Sequence, residues 1–392
     1  MQHLPHPYLL ALLLALTMLT ACHSPEPQVS ASLAVAEAMG GDTTGYNRAI
    51  EVRDFVFPDD HGAHPGYKTE WWYYTGNVTS TEGRRYGYQF TLFRSALTPP
   101  TDTAGLGSTD SDWTTNQLFM GHFALTDIDG DAFYAYERFS RASAGLAGAQ
   151  PEPFRVWLED WSAEAAGPVD DPAQLPMRVR AYDEGTGLDL TLTPAKPMTL
   201  QGERGLDPKG AGVGNASYYF SYTRLATEGT MTVEGETVEV SGLSWMDREW
   251  STSALDEGQV GWDWFALQLD DGSDLMYYQL RESDGSPSRF TNGVVVDEAG
   301  QRTTLTLDDV TLTVTDTWTS PDGGTYPAGW TLSAPTDNLD LVITPTVADQ
   351  ELDVSVRYWE GSVTITGTHN GQPVAGRGYV EMTGYGDAAT RI

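Results

Sequence analysis

The sequence predicts an all-β protein, and three observations carry that expectation. Short runs of alternating polar and apolar residues recur along the chain, among them 86–93, 117–127, 188–192, 218–225, 265–269, 303–314 and 362–368. Such alternation sends successive side chains to opposite faces of a strand. Turn dipeptides separate the runs: Asp129-Gly130, Asp271-Gly272, Asp284-Gly285 and Asn370-Gly371, each able to supply the positive φ of a hairpin turn. Helical periodicity is scarce, and 141–147 has room for no more than a short turn or helix. Many short strands at near-regular spacing imply barrels or sandwiches.

The N-terminus reads as an export signal. Residues 9–19 form an apolar run of signal-peptide length, too short to span a bilayer. The run ends in Leu19-Thr20-Ala21-Cys22, which resembles the bacterial lipobox, with Cys22 as the lipidated residue. Residues 1–22 are therefore expected to be a lipoprotein signal peptide and lipobox. Residues 23–50, rich in Ser, Ala, Gly and Pro, are expected to be a flexible tether. The expected location is the periplasmic face of the bacterial envelope, anchored in the inner or the outer membrane. Cys22 is the single cysteine, so no internal disulfide forms.

Composition narrows the partners. Lys and Arg number 22 against 55 Asp and Glu, a net charge of −33, which repels phosphate backbones and excludes nucleic acid as a partner. No Gly-x-Ser-x-Gly elbow, His-Glu-x-x-His pair or Gly-x-Gly-x-x-Gly turn is present, and no cofactor is implied.

The richest stretch is 241–264, which contains Trp245-Met-Asp-Arg-Glu-Trp250 and Gly261-Trp-Asp-Trp264. Strand alternation puts Trp245, Asp247 and Glu249 on one face and Met246, Arg248 and Trp250 on the other. A dry core strand does not hold Asp, Arg and Glu in succession, and a surface strand is not so rich in Trp. Two readings fit: a buried ion-pair network, or a pocket wall in which acids sit among rings. In the first, preferred here, Arg248 or Arg94 pairs with Asp247 and Glu249. In the second, an apolar wall raises a carboxyl's pKa so that it can protonate carbon, and the rings stabilise the cation formed.

Several strings resemble one family. They are 61–76 (His-Gly-Ala-His-Pro-Gly-Tyr-Lys-Thr-Glu-Trp-Trp-Tyr-Tyr-Thr-Gly), 214–220, 245–250, 261–264, 358–361 and 378–385. Together they resemble the AttH/carotenoid 1,2-hydratase (CrtC-like) family of secreted lipocalin-like proteins over about residues 52–386. The resemblance implies two lipocalin-like antiparallel β-barrel domains packed together, with a pocket in or between them. The expected division is 51–245 and 246–392. Hydratases of this family add water to the terminal C=C of acyclic carotenoids. The AttH branch, to which these strings lie closer, often travels with an ABC exporter of the lipoprotein-handling type.

Two functions follow from different classes. The first is an envelope lipoprotein that binds an apolar or amphipathic ligand, a lipid or isoprenoid, and works with an ABC exporter. The second is a cofactor-free, carotenoid 1,2-hydratase-like lyase. Its catalytic candidates are Asp247, Glu249 and His122. The ligand-binding candidates are Glu70, Trp72, Tyr74, Trp245, Trp262, Trp264, Tyr358 and Glu360. His122 shares a face with Met120 and Ala124, read here as barrel lining. His61 and His64 lie three apart near Asp59 and Asp60, but Gly62 and Pro65 mark an irregular loop, so a structural role is expected rather than a metal site.

Overall fold

The computed structural model describes residues 42–100, 115–253, 255–256, 258–321 and 323–385. The expected signal peptide, Cys22 and most of the expected tether lie outside them. The end of that tether is docked: Ala49 is buried in the first core, Asn47 N–H donates to Gly66 O at 2.8 Å, and Tyr46 OH donates to Ala96 O at 2.9 Å. Buried apolar area and paired backbone groups hold residues 46–49 against the barrel, which a free linker lacks.

Alternating segments become strands throughout. The first sheet contains β1 (Thr69–Ser80), β2 (Arg85–Ala96), β3 (Gln117–Asp127), β4 (Ala132–Arg141), β5 (Ala147–Pro151), β6 (Phe154–Leu158) and β7 (Trp161–Ala165). It continues with β8 (Met177–Asp183), β9 (Thr186–Pro194), β10 (Thr199–Leu200), β11 (Leu206–Pro208), β12 (Ala216–Val233) and β13 (Glu236–Ser251). The second contains β14 (Gln259–Leu269), β15 (Asp274–Glu282), β16 (Asn292–Val296), β17 (Arg302–Thr306) and β18 (Thr311–Thr319). Its remaining strands are β19 (Thr325–Ala334), β20 (Leu339–Pro345), β21 (Glu351–Leu352), β22 (Tyr358–His369) and β23 (Gln372–Thr383). The strand pairs are antiparallel, in the orders β4-β3-β2-β1-β13-β12-β9-β8-β7-β6-β5 and β17-β16-β15-β14-β23-β22-β20-β19-β18. The first sheet is a nearly closed barrel and the second a half-barrel, a lipocalin-like pair.

Local chemistry sets the punctuation. Asn370-Gly371 and Glu234-Gly235 hold both residues at positive φ and close the two longest hairpins in two-residue turns. The run 303–314 is not one strand: the Thr306 side chain and Asp309 form a capping box around a single 3-10 turn between β17 and β18. The whole of β13 stays in the first sheet, so the chain changes sheets between Ser251 and Gln259, beyond the expected division at 245/246.

Each barrel is filled by its inward side chains. Trp72, Tyr74, Phe90, Phe123, Trp161 and Trp250 belong to the first core, and Phe265, Trp330, Ile343 and Val380 to the second. A third apolar cluster joins the outer faces of β12, β13 and β1 to those of β14, β15 and β23, and includes Tyr73, Tyr219, Trp245, Trp264, Met276 and Tyr278. Polar contacts stitch the same junction. Asn77 Nδ2 donates to Gly378 O at 2.9 Å, and Gln268 Nε2 donates to Thr223 O at 2.7 Å and Ser244 O at 2.9 Å.

Candidate functional site

Cross-strand register aligns side chains in rows on the packed outer faces. Tyr219, Glu249, Trp71 and Phe93 form one row across β12, β13, β1 and β2, and Ser221, Asp247, Tyr73 and Thr91 the next. From the other sheet, Tyr278, Trp264, Glu381 and Glu360 form a row across β15, β14, β23 and β22. Leu280 and Trp262, with Thr383 and Tyr358, form a second. Side chains of these rows line a partly open cavity of about 80 Å³ between the sheets, together with Lys209. Trp71, Phe93 and Trp262 keep partial exposure, while Tyr73, Tyr219, Trp264 and Tyr358 are buried.

Four carboxyl groups face this aromatic space. Asp247 accepts hydrogen bonds from Tyr219 OH at 2.6 Å, Ser221 OH at 2.5 Å and Trp245 Nε1 at 2.7 Å. Burial nonetheless pushes its carboxyl up to about 7. Burial also raises Glu249, against the pull of Lys209, whose Nζ is 3.5 Å from Glu249 Oε1. Glu381 accepts Trp262 Nε1 at 2.9 Å; burial pushes it up to about 8, and the charges of Asp247 and Glu249 add to the rise. Glu360 lies directly opposite Glu381 on the adjacent strand and accepts Tyr73 OH at 2.9 Å. Burial, then the charge of Glu381, holds it well above the ordinary carboxylate range. Like charges opposed on buried strands destabilise each other, which favours retention of protons here.

Lys209 is the cation of the site. Its Nζ is 2.6 Å from Asp207 Oδ2 and lies over the Tyr278 ring, 3.9 Å from its centroid. Asp207 also accepts Tyr278 OH, at 2.9 Å, and Asn292 Nδ2, at 2.8 Å.

The expected pairing of Arg248 or Arg94 with Asp247 and Glu249 does not occur. Among the described residues no Arg or Lys pairs with Asp247, and Glu249 has Lys209. Arg248 and Arg94 instead converge on Glu70, which also accepts the His64 N–H at 2.9 Å. Burial alone would raise the Glu70 carboxyl, but the two guanidinium groups hold it well below the usual range. Arg248 stacks 4.0 Å from the Trp72 ring centroid, and the His64 ring stacks on Trp250 at 3.8 Å. His64 further bridges to Asp60 at 3.0 Å, and Arg53 meets Asp60 at 2.8 Å. This cluster pins the segment before β1 to the first barrel.

Of the sequence candidates, the fold brings Asp247, Glu249, Trp262, Trp264, Tyr358 and Glu360 to the cavity. Trp245 stands one step behind, donating to Asp247. Glu70 lies in the ion cluster, and Trp72 and Tyr74 are sealed in the first core; the opposite face of β1 supplies Trp71 and Tyr73 instead. The face of β3 bearing Met120, His122 and Ala124 is not barrel lining. It packs against Tyr358 and Leu352 of the second sheet and Val356 of the β21–β22 connection, because Phe119, Phe123 and Leu125 of the alternate face fill the interior. His122 Nδ1 is 2.7 Å from Tyr358 OH, and Nε2 is 2.9 Å from Glu137. It does not line the cavity itself and meets it through Tyr358 and the Phe93 ring, whose centroid is 5.4 Å away. Sequence reasoning misses Lys209, Tyr219, Tyr278 and Glu381. Alternation along 378–385 puts Glu381 on one face with Tyr379, which is a usable signal; Lys209, beside the short β11, has none.

Comparisons with known proteins agree with this architecture. The AttH-like family model matches residues 48–385. The crystal structure of an AttH from Nitrosomonas europaea is 35% identical, covers 86% of this chain and 99% of that one, and superposes with a TM-score of 0.74. Kievitone hydratase from Nectria haematococca shares the fold at 16% identity, with a TM-score of 0.65 over 86% of this chain and 98% of that one. No curated protein matches. By the family match and the 35% identity, the chain belongs to the AttH-like family.

Proposed function

We propose that the inter-barrel cavity is the centre of a cofactor-free lyase that adds water to, or removes it from, an apolar unsaturated ligand. The observation that carries this reading is the pair Asp247 and Glu381: two carboxyls from opposite sheets, raised to about 7 and about 8 among aromatic rings. An acid that keeps its proton at neutral pH and a base that has shed its own is the combination hydration needs. Glu381 gives its proton to one alkene carbon, leaving a cation on the other. The faces of Trp71, Trp262 and Trp264 stabilise that cation. Water bonds to it, and Asp247 takes the proton this water releases. The carboxyls then exchange protons with solvent to reset. Kievitone hydratase, by its name, acts in the same reaction class, and the shared fold makes this consistent; the residues carry the proposal.

The partly exposed rings Trp71, Phe93 and Trp262 also favour a second reading, in which the protein binds an apolar or amphipathic ligand and hands it on unchanged. Handover to an ABC exporter, and attachment through Cys22 at the periplasmic face, rest on the sequence alone. Incubation of the protein with acyclic isoprenoids in oxygen-18 water separates the two readings. A tertiary alcohol carrying the label supports the lyase. Tight binding of the same compounds with no labelled product sinks it in favour of the carrier.

A further inference from the structure

We propose that Glu360 is a recognition site for a carbonyl oxygen, so that the ligand is an isoprenoid-like chain bearing a ketone or aldehyde rather than a pure hydrocarbon. This rests on the reading of the cavity as a ligand site and adds the ligand's polar end.

Glu360 is fully buried in β22 and lines the cavity. Its Oε2 accepts Tyr73 OH at 2.9 Å, while Oε1 has no hydrogen-bond partner among the described residues. Glu381 stands opposite on β23, so the carboxyl is disfavoured as an anion. Because Tyr73 donates to Oε2, the proton of the neutral acid belongs on Oε1. That leaves an O–H donor beside the cavity with no acceptor among the described residues. Buried polar groups in native proteins are almost always paired, so the missing partner is the ligand's to supply.

A hydrocarbon offers no acceptor, and an alcohol brings a hydrogen that needs a further acceptor of its own. A carbonyl oxygen needs only a donor, and its apolar body suits Trp71, Phe93 and Trp262. A buried carboxylic acid kept neutral to donate to a substrate oxygen is a known device of enzymes.

The test titrates the full chain with geranylacetone and with the hydrocarbon of the same skeleton in which CH2 replaces the carbonyl. Tryptophan quenching reads affinity, and isotope-edited infrared spectroscopy reads the bound carbonyl stretch. The ketone should bind roughly tenfold more tightly, the net worth of one added hydrogen bond, with its stretch shifted to lower frequency. Glu360→Gln, which keeps a donor beside the Tyr73 contact, should preserve the preference; Glu360→Leu should abolish it. Equal affinities with an unshifted carbonyl overturn the Glu360 site while sparing the cavity. Failure of both ligands to bind overturns the cavity reading and this one together. Because the infrared shift is read on the unsubstituted protein, the outcome does not depend on either variant folding.

Discussion

Asp247 and Arg248 are adjacent in sequence and face opposite ways across β13. Arg248 reaches into the first barrel to meet Glu70, while Asp247 turns out to the junction and receives Tyr219, Ser221 and Trp245. One strand thus separates an ion cluster from an acid site. The cluster is charged and ion-paired; the carboxyls on the other face are disfavoured as anions. The 241–264 stretch therefore carries a buried ion pair on one side of β13, with Glu70 rather than Asp247 or Glu249 as its acid, and carboxyls among aromatic rings on the other.

Substitution should separate the two faces. Glu70→Gln leaves Arg94 and Arg248 buried without their counter-charge and should cost about 3–5 kcal/mol of stability, with any loss of function following from unfolding. Asp247→Asn preserves the shape of a side chain that has no cationic partner among the described residues. Its stability should stay nearly level, while turnover in the labelled-water assay falls by about two to four orders of magnitude. Chemical denaturation of both variants decides the matter. A severe loss of stability in Asp247→Asn would show that this acid is structural.

The lyase reading fixes a pH profile. Asp247 must be ionised to take a proton from water, so activity should rise through about 7. Glu381 must hold its proton, so activity should fall through about 8. The expected kcat/KM profile is a narrow bell between those values. Replacing Lys209 by Met removes the charge that draws Glu249 down and, through Glu249, should displace the bell. A profile flat from pH 6 to 9 in the unsubstituted protein would exclude this pair as acid and base.

Much of this arrangement is legible in the chain. Alternation alone assigns Asp247 and Arg248 to opposite faces, which already disfavours their pairing. What alternation does not say is which face is inward. In β1 both faces are aromatic and buried, because one fills a barrel and the other meets the second sheet, so the polar/apolar contrast that fixes orientation is missing. For that reason the sequence points to Trp72 and Tyr74 where the fold presents Trp71 and Tyr73. The same ambiguity misplaces His122, since β3 also buries both faces. The partner of Arg248 depends on pairing between strands about 180 residues apart, and that register is not written in local pattern.

The anchor is tested without reference to the barrels. Cys22 follows Leu19-Thr20-Ala21 at the end of an apolar run. Cys22→Ser should abolish acylation and the processing that follows it, so that the protein keeps its N-terminal segment and carries no acyl chains, with an unchanged far-UV spectrum. Intact mass spectrometry reads the difference. Masses that differ by no more than the Cys-to-Ser exchange itself, with no acyl chains on either protein, would exclude the lipoprotein.

The raised carboxyls also make stability depend on pH in a direction opposite to that of ordinary ion-paired acids. Glu381 is raised from 4.5 to about 8 and Asp247 from 3.8 to about 7. Across those windows the folded protein retains protons that the unfolded chain has released, so stability falls as pH rises. Each group contributes at most about 1.4 kcal/mol per pH unit. Glu70 and Asp60, held below their ordinary values despite burial, act the other way; their contribution is complete above the ordinary carboxylate range and is lost as the solution is acidified. Between about pH 5 and 8 the cavity carboxyls should therefore dominate the carboxylate contribution. Urea denaturation across that range should give decreasing stability for the unsubstituted protein, a shallower decline for Glu381→Gln, and a shallower one still when Asp247→Asn is added. Glu381→Gln should also be the more stable protein at pH 9, where the original carboxyl is forced to ionise in place. If the slopes of variant and parent coincide, Glu381 titrates as an ordinary solvated carboxylate and cannot be the acid of this site.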